Sequence, residues 1–359
     1  MNKDLHGGNI YKFQREGKND ILDYSSNINP LGVPQKFIDI AKESFDKLVN
    51  YPDPYYIELR KKIAEFNSLN VDNIIVGNGA TEILFLYIRA LKPKKVLILA
   101  PCFIEYERAL KSVSAKIEYF ELKESDNFYP NIINLKKEIE NNNYDLLLFC
   151  NPNNPTGQFI KLEDIKEIIE TCENKNTKIF IDEAFIEFIE NWKEKTVSLL
   201  KNRNVFIMRA FTKFFAIPGL RLGYGIGFDD EILKKMWEEK EPWTVNTFAN
   251  LAGLIMLDDK EYIEKSEKWI LEEKEFMYKE LSEFQYIKAY KTECNFILIK
   301  IYNISSASLK DKMIEKNILI RDASNFKFLD FHFVRLAIKD RKSNLKMLEV
   351  LADIMEYRG

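Results

Sequence analysis

Five side chains in this sequence have the types and spacing to do chemistry together: Asn154, Asp182, Thr212, Lys213 and Arg221. Lys213 stands within residues 209–224, RAFTKFFAIPGLRLGY, in what reads as a turn after an apolar run, between Thr212 and three apolar residues. Partial desolvation there disfavours the ammonium form and makes the amine a usable nucleophile. Arg221, eight residues later, and the Thr212 hydroxyl could hold a phosphate through charge-assisted hydrogen bonds. Asp182 ends the apolar run IFID, where a carboxylate is either an ion-pair partner or an acid that manages a cationic ring nitrogen. Asn154 belongs to NPNNPTG, residues 151–157, which is either a plain turn or a way to aim a side-chain amide into a crevice.

Two further segments have the same double reading. Residues 77–81, GNGAT, join an expected strand to a helix start. Glycines let backbone approach a ligand closely, and free N–H groups at a helix N-terminus attract phosphate, although a simple turn uses the same residues. Phe103, after Pro101 and Cys102, is either core or a flat face for stacking.

These residues need elements to position them. Gly79, Phe103, Asn154, Asp182 and Lys213 each follow an expected strand, at residues 73–76, 96–100, 146–150, 178–181 and 205–208. Helix-period segments alternate with them, as at 81–91 and 162–172. Alternating strands and helices imply an α/β fold with a mostly parallel central sheet. The ligand crevice of such a sheet lies outside the carboxyl ends of its strands, so the five residues should converge. After Pro242 come a long helical pattern, strands at 295–301 and 334–338 and a closing helix at 345–357, which suggest a smaller α+β domain. The expected division is an irregular arm at 1–35 packed with the small domain, a large domain at 36–245 and the small domain at 246–359.

Composition sets the outer bounds. A chain of 359 residues exceeds one ordinary domain. A net charge of −3 gives no reason to expect nucleic acid or an anionic membrane as partner, and mixed-sign runs such as 264–279 read as solvated helix faces. Four scattered cysteines, no C-x-x-C and two histidines argue against a metal site, and the thiols fit a reducing compartment. No apolar stretch approaches the roughly 18 residues of a membrane span. The start, MNKDLHGGN, lacks the apolar core of a signal peptide. A soluble, cytoplasmic protein is expected.

Asn154, Asp182, Lys213 and Arg221, separated by 28, 31 and 8 residues, together resemble the fold-type I pyridoxal-phosphate enzymes of the class I/II aminotransferase superfamily, over nearly the whole chain. The resemblance implies that Lys213 links covalently to pyridoxal 5′-phosphate, Asp182 pairs with its ring nitrogen and Asn154 binds its ring hydroxyl. Arg221, Thr212 and the backbone at Gly79, Ala80 and Thr81 would hold its phosphate, and Phe103 would stack on the ring. Arg335, in VRLAIK, matches a late arginine that grips the substrate carboxylate. Two positions depart from the pattern. Ala210 stands where a serine is common, which removes one phosphate hydrogen bond. Phe185 stands where many members have a tyrosine that donates to the ring oxygen; losing that donor raises the pKa of the lysine–cofactor linkage.

Two branches are nearest, histidinol-phosphate aminotransferase and threonine-phosphate decarboxylase. Residues 51–54, YPDP, are similar to a segment in both whose tyrosine crosses a two-fold dimer to the partner's cofactor phosphate, a role that falls to Tyr51. LHGGNI at 5–10, DYSSNINPLGVP at 23–34, DEAF and FTKFFAIPGLRLGY resemble the decarboxylase branch, whose arm folds over the site. That resemblance implies substrate contacts from His6, Asn9, Gly32, Asn154, Arg321 and Arg335. It implies decarboxylation of L-threonine O-3-phosphate to an aminopropanol phosphate, a reaction of cobalamin biosynthesis. Serine O-phosphate is an alternative substrate, since one methyl discriminates by only about 1–3 kcal/mol. The bond at Cα that stands perpendicular to the cofactor ring breaks, so the arginines decide between decarboxylation and transamination by fixing the carboxylate.

Overall fold

A computed structural model describes residues 6–356. Leu5 and Tyr357, the outermost residues of the arm motif and the closing helix, lie outside the described residues. The arm contains a helix, Ile10–Arg15, and a short strand β1 (Leu22–Asp23), so it is more ordered than its Gly, Asn and Ser content suggests.

Seven strands form the main sheet: β2 (Ile74–Asn78), β3 (Lys95–Ala100), β4 (Lys116–Glu121), β5 (Leu146–Cys150), β6 (Lys178–Asp182), β7 (Val205–Ala210) and β8 (Leu222–Gly227). Their order is β2-β8-β7-β6-β5-β3-β4. Neighbours pair in parallel except at β8, which runs antiparallel to both β2 and β7. β5 (LLLFC) is buried along its whole length, and β6 (KIFID) along all but its first residue. Strands covered on both faces need such near-continuous apolar runs. Apolar clusters fill both sides of the sheet.

The reversal of β8 matters for function. The C-terminal ends of β2 and β7 and the N-terminal end of β8 lie together, with Asn78 opposite Leu222 and Ala210 opposite Gly223. Arg221, just before β8, is thereby brought to the edge where Gly79 and Lys213 emerge. Lys213 itself stands in a one-turn helix, Phe211–Phe214, and not in a plain turn.

The C-terminal part carries β9 (Ile287–Ala289), β10 (Phe296–Ile301), β11 (Ile318–Leu319), β12 (Arg321–Asp322) and β13 (Phe333–Ala337). Four of these make an antiparallel sheet, β12-β13-β10-β9, and β11 pairs in parallel with β1 of the arm. The long helical pattern after Pro242 is two helices, Thr247–Met256 and Lys260–Ser282, separated by the cap of Asp259. The second is 23 residues long. Glu124, from the connection after β4, accepts hydrogen bonds from Lys288, Tyr290 and Lys300, which ties the two sheets together. Among the described residues no helix is long and apolar enough to cross a membrane.

Candidate active site

A cavity of about 450 Å³ opens at the C-terminal edge of the main sheet. Ala80, Thr81, Phe103, Asn154, Asp182, Thr212, Lys213 and Arg221 all line it, together with His6, Arg321 and Arg335. The sheet therefore gathers the residues that the spacing singled out. Gly79 stands just behind the wall. Tyr51, Asn9 and Gly32 do not line the cavity: Tyr51 is 81% exposed, Asn9 is exposed at the start of the arm helix, and the Gly32 carbonyl accepts from the Tyr262 hydroxyl.

One end of the cavity is built for charge on a ring. Asp182 is buried, accepts from the Tyr106 hydroxyl at 2.6 Å and from Ala184 N–H at 2.9 Å, and has no ion-pair partner among the described residues. Burial pushes its carboxyl up to about 6, against the pull of those two donors. Lys213 is pushed the other way, down to about 8, first by desolvation and then by the positive charges of Arg335 and Arg221. An amine depressed to this extent is a nucleophile near neutral pH. Phe103 is partly buried, and Phe185, which lacks the tyrosine hydroxyl common at this position, packs its ring edge-on against Phe296 at 5.1 Å.

The opposite end suits a phosphate. Helix Ala80–Leu91 starts at Gly79, whose φ of +79° is unstrained only because glycine has no Cβ, and no side chain caps it. First-turn N–H groups left in this way bind anions. A Cβ on Gly79 would lie 2.4 Å from Arg221 Nη2, so the glycine makes room for the guanidinium. Arg221 itself holds φ at +62°, a strained value for a non-glycine residue, of the kind that clusters at functional sites.

The third wall is cationic. Arg321 and Arg335 are register partners across β12 and β13, and both are buried. Arg335 donates from Nη1 to Asn154 Oδ1 at 2.6 Å and from Nη2 to the Ser25 carbonyl at 2.7 Å, while its buried Nε has no partner. Burial, and then the charge of Arg321, lower its pKa to about 9. Arg321 donates to the Asp322 carbonyl and to Asn325 Oδ1, both at 2.8 Å, beneath the Phe326 ring. His6 sits at the mouth, its Nε2 2.9 Å from Glu105 Oε1.

The residues fit pyridoxal phosphate. A buried carboxylate with no ion-pair contact among the described residues awaits a ring nitrogen, the cradle of Gly79 and Arg221 awaits a phosphate, and Lys213 lies on the wall of the same cavity. Asn154 spends its oxygen on Arg335, and its amide N–H group makes no hydrogen bond among the described residues, so it remains able to donate to a ring oxygen. Sequence reasoning missed Tyr106, Ser25 and Asn325. Tyr106 had one usable signal, since three residues after Phe103 at a helix start share a face. The other two act through folding of the arm and a loop, which local pattern does not encode.

Residues 19–351 match the family described as aminotransferase class I and II. The chain is 44% identical over 353 residues, 98% of its length and 94% of the relative's, to a protein of Caldanaerobacter subterraneus subsp. tengcongensis named "Putative threonine-phosphate decarboxylase". It is 32% identical to threonine-phosphate decarboxylase of Salmonella typhimurium, over 98% of this chain and 96% of the other. The crystal structure of histidinol-phosphate aminotransferase from Clostridium acetobutylicum superposes with a TM-score of 0.88 at 38% identity, covering 94% of this chain and 99% of that one.

Proposed function

The chain belongs to the aminotransferase class I and II family of pyridoxal-phosphate enzymes, and from that premise we propose that it decarboxylates L-threonine O-3-phosphate to an aminopropanol phosphate and carbon dioxide. The arginine pair carries this reading. Like charges opposite each other on paired strands repel, and an anionic ligand relieves the repulsion. L-Threonine O-3-phosphate brings a carboxylate and a phosphate in one molecule and can engage both arginines at once. Histidinol phosphate brings a single anionic group; glutamate, the rival's second substrate, brings two, so the decisive test is chemical. The similarity to decarboxylases over 98% of the chain supports the same choice.

Bound in the cavity, pyridoxal phosphate supplies a conjugated cationic ring that accepts the electron pair of a bond broken at the substrate's α-carbon. The chain's residues select the bond. Arg335, anchored by Asn154 and the Ser25 carbonyl, would turn its remaining N–H groups to the substrate carboxylate and so orient it for loss. Arg321 and His6 take the phosphate. Lys213, lowered to about 8 and so still largely ammonium at neutral pH, would give a proton from that ammonium to the α-carbon once carbon dioxide has left. Asp182 keeps the ring nitrogen protonated; Thr212, Arg221 and the N–H groups at Ala80 and Thr81 anchor the cofactor phosphate, with Phe103 against the ring. Asn9 and Gly32 have no part in this reading, because neither lines the cavity. Serine O-phosphate is an alternative substrate.

The same proposal includes a two-fold dimer in which Tyr51 reaches the partner's cofactor phosphate, a cytoplasmic location, and the division into an arm, a large domain and a small domain at 1–35, 36–245 and 246–359. An exposed apolar patch of Phe45, Leu48, Val49, Tyr51, Tyr55 and Trp243 supports the dimer. Trapping carbon dioxide released from L-threonine O-3-phosphate tests the reaction. Gas release that vanishes in Lys213→Ala is the expected result. Amino transfer from glutamate to imidazole-acetol phosphate without gas release contradicts it.

A further inference from the structure

Behind the cavity lies a charged pair that touches none of its contents. Glu183 and Arg209 have fully buried side chains, with Arg209 Nη2 2.7 Å and Nε 3.0 Å from Glu183 Oε2. Val197 N–H donates to Glu183 Oε1 at 2.9 Å, and the Thr196 hydroxyl joins both partners. Arg209 Nη1 reaches Asn67 Oδ1, at the end of helix Ile57–Phe66, and the guanidinium lies over Trp192 at 4.8 Å. All three nitrogens of this guanidinium are directed by partners.

Its place in the sheet gives it a purpose. Glu183 follows Asp182 at the end of β6, and its N–H donates to the Met208 carbonyl of β7. Arg209 lies between Met208 and Ala210, which both line the cavity. Successive residues of a strand face opposite sides. Asp182, Met208 and Ala210 therefore face the cavity, while Glu183 and Arg209 face away and join the same two strand ends from behind. Stability alone does not account for the pair, because burying two charges costs about as much as their attraction returns, and apolar residues of similar volume are often as stable.

We propose that Glu183 and Arg209 are positioning residues that fix the strand ends carrying Asp182 and Lys213, and so set the protonation of the cofactor held between them. The proposal rests on the family's cofactor and on neither reaction, so it survives a wrong choice between decarboxylation and transamination.

The test uses the cofactor-loaded protein and three readouts: the pH midpoint of the cofactor's visible absorbance, the cofactor dissociation constant and the melting temperature. Glu183→Gln removes the charge at constant shape, and Arg209→Lys keeps the charge but loses the fork. Both are expected to move the midpoint by about half a pH unit or more and to weaken cofactor binding roughly tenfold. Met313→Ala, a cavity in the apolar core far along the chain, serves as the control, expected to lower the melting temperature while leaving midpoint and affinity unchanged. Thr196→Val removes the hydroxyl shared by the pair and leaves the charges paired, so it provides the reading if the charge variants do not fold. Shifts no larger than those of Met313→Ala overturn the proposal.

Discussion

Lys213 and Asp182 are tuned in opposite directions by the same desolvation, and each gives a separate pH signature. Lys213 is a base whose pKa falls from 10.5 to about 8. It holds more free amine at neutral pH than a solvated lysine does, and the fraction rises through pH 8. Capture of added pyridoxal phosphate by cofactor-free protein, followed by stopped-flow absorbance, should therefore accelerate through a midpoint near 8. A midpoint near 10.5 contradicts the desolvated amine. Asp182 is an acid whose pKa rises from 3.8 to about 6. Between those values the folded, cofactor-free protein binds more protons than the unfolded chain, so this group's contribution falls as pH rises through the window and stays low above it. The cost is on the order of 3 kcal/mol. Asp182→Asn in cofactor-free protein should then be more stabilising at pH 7.5 than at pH 4, as read by calorimetry. An equal effect at both pH values shows that the carboxylate carries no such cost.

At the scale of elements, the phosphate end depends on a strand that runs against its neighbours. β8 carries Arg221 back to Gly79, and the glycine leaves room for the guanidinium. Gly79→Ala puts a methyl group 2.4 Å from Arg221 Nη2 at a φ of +79°. Cofactor affinity should fall about tenfold or more, a loss of roughly 1.4 kcal/mol, with secondary structure retained by circular dichroism. Unchanged affinity removes Arg221 from the phosphate site. Much of this element layer was legible in the sequence, because buried parallel strands need apolar runs and the chemistry-bearing residues end them. β8 was not: LGYGIG has three glycines, which strands avoid, and they are there because Gly223 lies against the backbone of Ala80 and Gly225 and Gly227 against Phe206. β4, KIEYFE, is an edge strand only partly covered, so its charges masked it. The register that puts Arg321 opposite Arg335 was also hidden, because pairing between distant segments leaves no local pattern.

Over the whole molecule, the cavity lies where two sheets and the arm meet, and in the proposed dimer a second copy would add Tyr51 to it. Phe45 packs on Phe248 at 5.1 Å and Tyr51 on Trp243 at 4.9 Å, so the exposed patch is preformed on the single chain. Complementation tests whether Tyr51 crosses to a partner. Lys213→Ala and Tyr51→Ala, each impaired alone, should regain activity when unfolded together and refolded as a mixture. In the mixed dimer one site has both an intact lysine and an intact partner tyrosine. Activity no greater than the sum of the separate variants contradicts the crossing. Turnover in heavy water shows whether the arginine pair presents the Cα–carboxylate bond for cleavage. L-Threonine O-3-phosphate turned over in D₂O should yield carbon dioxide and an aminopropanol phosphate that retains the substrate's α-hydrogen and gains one deuterium beside it, read by mass spectrometry and NMR. Loss of the α-hydrogen to solvent, with an oxo acid formed and no carbon dioxide, contradicts the account and assigns the chain to amino transfer.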